Sequence, residues 1–62
     1  MASYIPADQY PIVKLALLQR IKQHLIAAHY GINQGRISEF KRSPMFDAVK
    51  PAALLPHGFP SN

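Results

Sequence analysis

Apolar residues in the first third of the chain recur at helical spacing. Val13, Leu17 and Ile21 stand four apart, and Leu18 widens their stripe. That is the pattern of a helix with one face on a core. The stretch ADQYPIVKLALLQ, residues 7–19, therefore predicts a first helix. Asp8 near its start suits the exposed amides and the dipole there. Pro11 lacks an N–H and clashes with a preceding turn, so the helix either begins near it or holds it in the first turn. Residues 1–6 read as a short arm ending at Pro6.

A second helix is expected from residue 22 or 23 to residue 29, with Ile26, Ala27 and Tyr30 inward and Leu25 beside them. Gly31 ends it, because glycine takes the left-handed conformation that closes a helix. Ile32 then turns inward, and Asn33 is a natural N-cap for a third helix over residues 34–41. Ile37 and Phe40 face inward on that helix, and Ser43-Pro44 stops it. Four of the six prolines lie in residues 44–62. PMFDAV suits one helical turn, with Met45, Phe46 and Val49 as apolar anchors. KPAALLPHGFPSN reads as extended or turn-rich, its last few residues mobile. The expected fold is all-α: an arm (1–6), a three-helix domain (7–43) and an irregular, Pro-rich C-terminal tail (44–62).

Composition narrows what such a domain can do. At 62 residues the chain is one small domain, which buries only about 60% of its unfolded surface. Without cysteine, disulfides and cysteine–zinc sites are excluded. His24, His29 and His57 stand far from any acidic cluster, so no metal or cofactor is expected. What remains is tight helical packing, self-association or both, and a homodimer is the expectation.

Seven Lys/Arg stand against Asp8, Glu39 and Asp47, a net charge of +4. Such an excess points to an anionic partner. Arg20, Lys22, Arg36, Lys41 and Arg42 fall in one stretch with a single acid, Glu39, whereas Lys14 and Lys50 read as solubilising. No nucleophile, base and orienter can be assembled from three acids, no cysteine and unpaired histidines, so an enzyme is not expected. No apolar run approaches the roughly 20 residues of a membrane span, and MASYIPADQY lacks the pattern of a signal peptide. The first helix carries too few cations on its polar face to lie on a membrane. A soluble, cytoplasmic protein is expected.

The central stretch IAAHYGINQGRISEFKRS holds a spaced set: Ala27, then Gly31-Ile32, then Ile37, then Phe40. It resembles the helix-turn-helix of DNA-binding regulators, and HYGINQGRISEF looks especially like small bacterial, phage and plasmid members. A small residue at Ala27 lets two helices approach, Gly31 permits the turn, and Ile32 and Ile37 lock the second helix onto the first. The likeness covers residues 20–42, about a third of the chain; Lys22 departs from it where a serine or threonine cap is common.

The resemblance implies that residues 33–42 form a recognition helix lying in the major groove. Gln34 and Ser38 would face bases, with Asn33 at the helix start; Arg36 would reach a guanine or a phosphate. Gly35 would allow close approach to the groove. Lys41 and Arg42 would reach phosphates, as would Arg20, Lys22 and Gln23 with the amides of the preceding helix start. The implied role is transcriptional regulation, most simply repression, by a homodimer on double-stranded DNA with recognition helices about 34 Å apart. The alternative is a protein-interaction module, such as a phage- or plasmid-borne inhibitor of a host polymerase or regulator. In that reading Leu54, Leu55 and Phe59 of the tail hold a partner; otherwise they cover the core or form the dimer contact.

Overall fold

Helix α1 spans Tyr10–Leu18 and is entered through a 3-10 turn at Ala7–Gln9 in the computed structural model, which describes residues 4–62. The first three residues of the expected arm lie outside the described residues. Pro11 sits in the opening turn of α1, where its missing N–H has no partner to lose. Helix α2 follows at Gln23–Tyr30, α3 at Gln34–Arg42 and α4 at Pro44–Ala48. Among the described residues there is no strand, and the fold is all-α. Four α-helices replace the three expected, because the turn begun by Pro44 extends over five residues.

The core gathers Ile5, Val13, Ala16, Leu17, Ile21, Ile26, Ala27, Ile37 and Phe40. Ile26, Ile37 and Val13 are fully enclosed. Tyr10 stacks on Phe40 with ring centroids 5.1 Å apart, and Phe46 meets Phe40 edge-on at 5.5 Å. Ile21 is buried as expected, but beyond the end of α1. The chain closes that helix by donating Ile21 N–H to Ala16 O and Arg20 N–H to Leu17 O, which folds Ile21 back under the helix.

Three residues take other places than expected. Leu18 is 54% exposed; one residue past Leu17, it is rotated about 100° away from it, and Ala16 fills the stripe instead. Met45 is 46% exposed, leaving Phe46 to pack α4 on the core. Lys14, read as solubilising, donates through Nζ to Phe46 O at 2.6 Å and lies over the Phe46 ring at 4.9 Å.

The tail runs back across the domain. Ala52 N–H donates to Pro11 O at 3.0 Å, and Leu55 and Phe59 pack on the core. The Phe59 ring lies 4.6 Å from His29. Leu54 points outward, 81% exposed. The last few residues, expected to be loose, are tied down. Asn62 accepts from Lys22 N–H and donates to Arg20 O, both at 2.9 Å.

Candidate nucleic-acid interface

Helices α2 and α3 meet through a turn of three residues. Gly31 stands at φ 67°, the left-handed region, and donates to Ala28 O while Ile32 N–H reaches Ala27 O. Ala27 is buried and Ile32 half-buried in the angle between the helices. Asn33 is extended and caps α3, its Oδ1 accepting Gly35 N–H at 2.7 Å. A β-carbon on Gly35 would stand 3.2 Å from that same oxygen. Glycine there thus leaves room for the cap, a local reason beside the expected one of access.

With Ile37 and Phe40 buried, α3 turns Asn33, Gln34, Gly35, Glu39, Lys41 and Arg42 to solvent. Gln34 is exposed. Ser38 is not: half-buried, it donates its hydroxyl to Gln23 Oε1 at the start of α2. That bond ties the middle of α3 to the first turn of α2. Arg36 is half-buried on the other flank, paired with Glu39 at 3.0 Å and lying over the Tyr4 ring at 4.4 Å. Its guanidinium is engaged by the arm and its own helix rather than extended alongside Gln34.

Arg20, Lys22, Gln23 and Lys41 come together, lining one open groove with Leu17, Leu18 and Ile21. Twenty-one positions separate Arg20 from Lys41 in the chain. Three cations gather in this groove with no acidic side chain among its lining residues. Arg42 is exposed at the end of α3 but outside that lining. Lys22 makes no side-chain cap at the start of α2, and its own N–H is held by Asn62.

Asn62 and Tyr4 were not singled out by sequence reasoning, and neither carries a local signal. Asn62 acts on residues 40 and 42 positions away. Away from the groove, Tyr30 donates to Gln9 Oε1 at 3.0 Å. Burial, with Asp8 adding repulsion, pushes its hydroxyl up to about 12. Among the described residues no three His, Asp or Glu side chains gather as a metal would require, and no helix is long and apolar enough to cross a membrane. No family model, curated protein or solved structure matches the chain.

Proposed function

We propose that the chain is a helix-turn-helix protein that binds double-stranded DNA, with α3 as the reading helix. The observation that carries this is the joining of two surfaces. A capped helix with an exposed polar face stands beside a groove holding Arg20, Lys22 and Lys41 without an acid. A polar helix face alone is ordinary; beside an acid-free cationic groove it matches base edges flanked by phosphates.

In this reading Gln34 meets a base edge, where adenine suits its paired donor and acceptor, and Asn33, whose Oδ1 is held by the cap, offers its Nδ2 donor beside it. Gln23, oriented by Ser38, joins Arg20, Lys22 and Lys41 on the phosphates, with Arg42 on the next one along. Arg36, on the opposite flank of α3, serves as a further phosphate contact steered by Tyr4 and Glu39. One copy offers few base contacts, so two copies on a symmetric site, as a repressor would use, give the affinity that one lacks.

The test is fluorescence anisotropy on a mixed-sequence duplex across a salt series, followed by selection from random duplexes. The expected log–log salt slope is about −4 or steeper, for four or more neutralised phosphates, with enrichment of a two-fold symmetric sequence. Salt-sensitive binding without enrichment would leave an architectural binder. Absence of binding at low salt would favour the second reading, a protein-interaction module. Leu54, 81% exposed, is the feature that supports it; Leu55 and Phe59 are engaged by the core.

A further inference from the structure

We propose that Asn62 is a positioning residue for the groove cations, an inference that rests on the DNA-binding reading above. The α1–α2 and α2–α3 turns are closed by the same pair of backbone bonds. In the first, Arg20 N–H reaches Leu17 O and Ile21 N–H reaches Ala16 O; in the second, Gly31 N–H reaches Ala28 O and Ile32 N–H reaches Ala27 O. Each needs one left-handed residue. The second turn uses Gly31 at φ 67°, the first uses Arg20 at φ 63°.

A β-carbon disfavours that region, which is why glycine is the usual occupant. A strained residue persists only where its surroundings over-determine it, and such residues cluster at functional places. Here the surroundings include Asn62. Its Nδ2 donates to Arg20 O and its Oδ1 accepts Lys22 N–H, so one carboxamide spans the peptide groups on both sides of Ile21.

The Lys22 N–H is the donor that, in a capping box, a Glu or Gln three residues into the helix would take. That position holds Leu25, and Lys22 itself offers no side-chain cap. Asn62 therefore supplies from the tail what α2 lacks locally. The two residues it holds, Arg20 and Lys22, are exposed and line the groove with Lys41. Fixing their backbone fixes the directions in which two of the three groove cations leave the chain.

The test compares wild type with Asn62→Ala by duplex anisotropy across a salt series, with thermal melts alongside. The expected result is about tenfold weaker binding at low salt and a salt slope shallower by about 1–2, as one or two phosphate contacts are lost, with a cooperative melt retained. In an Arg20→Gln/Lys22→Gln background, Asn62→Ala should change the slope no further. Should Asn62→Ala fail to fold, Asn62→Gln shifts the carboxamide by one methylene and should also flatten the slope. A wild-type slope in a folded Asn62 variant overturns the positioning role, even if its affinity is lower. Wild-type protein that shows no salt-dependent binding overturns the DNA-binding reading, and this inference with it.

Discussion

Gly31 and Arg20 perform one backbone task with different side chains, and the difference is measurable. A β-carbon at Gly31 would meet nothing within 4 Å, so valine there is penalised by backbone strain alone. Gly31→Val should lose about 2 kcal/mol of unfolding free energy by urea titration. Arg20→Gly should go the other way, gaining roughly 0.5–1 kcal/mol once glycine's greater loss of chain entropy is subtracted, while duplex binding falls. Tyr30 supplies a pH signature. Its hydroxyl ionises near 12 in the folded chain against an ordinary 10, so the folded state holds the proton more tightly. The associated stability is complete below pH 10 and is lost as the pH rises toward 12. Urea melts across that range should show the decline, and ultraviolet titration should show one tyrosine ionising late. Gly31 was legible in the sequence because the bonds that close its turn reach only three and five residues back. Arg20 was not, since nothing in an arginine announces a left-handed backbone.

Helix α3 was the most legible element, for the same reason of locality. Asn33, Ile37, Phe40 and the stop at Ser43 act within a turn or two of one another, and each stands where spacing put it. The flanks were less legible, because what lies opposite a helix face depends on remote chain. Ser38 meets α2, Arg36 meets Tyr4, and Lys14 on α1 meets α4. Two substitutions separate scaffold from reader. Asn33→Ala should cost about 1 kcal/mol in a urea melt, the usual value of an N-cap. Gln34→Ala should leave that melt unchanged and alter which sequences are enriched in a random-duplex selection. Unaltered enrichment would remove Gln34 from the readers.

At the level of the whole molecule the tail divides into an inward and an outward part. Phe59 closes over His29 and Tyr30 while Leu54 stands in solvent. Phe59→Ala should cost about 1–2 kcal/mol, less than a fully buried phenylalanine. Leu54→Ala should stay within about 0.5 kcal/mol of wild type. Equal losses at both positions would mean that Leu54 is covered in solution, as a second copy would do. The register of this segment was not legible beforehand, since its prolines remove helical periodicity and its partners sit on α1, on α2 and in the turn between them.

The Ala52–Pro11 and Asn62–Arg20 bonds each close a loop of about forty residues. The turns between helices, by contrast, close within a handful of residues. Contacts of such unequal reach do not form together: short loops close first, and the long ones bear a larger entropic penalty. On refolding, the α2–α3 pair should therefore assemble while the tail is still unfastened, and the tail should also be the first part to come away. Amide protons of Lys22 and Ala52 would then exchange through a shared partial opening, well before those of Ile37. The segment that holds the backbone of Arg20 and Lys22 is thus the last to arrive and the first to leave.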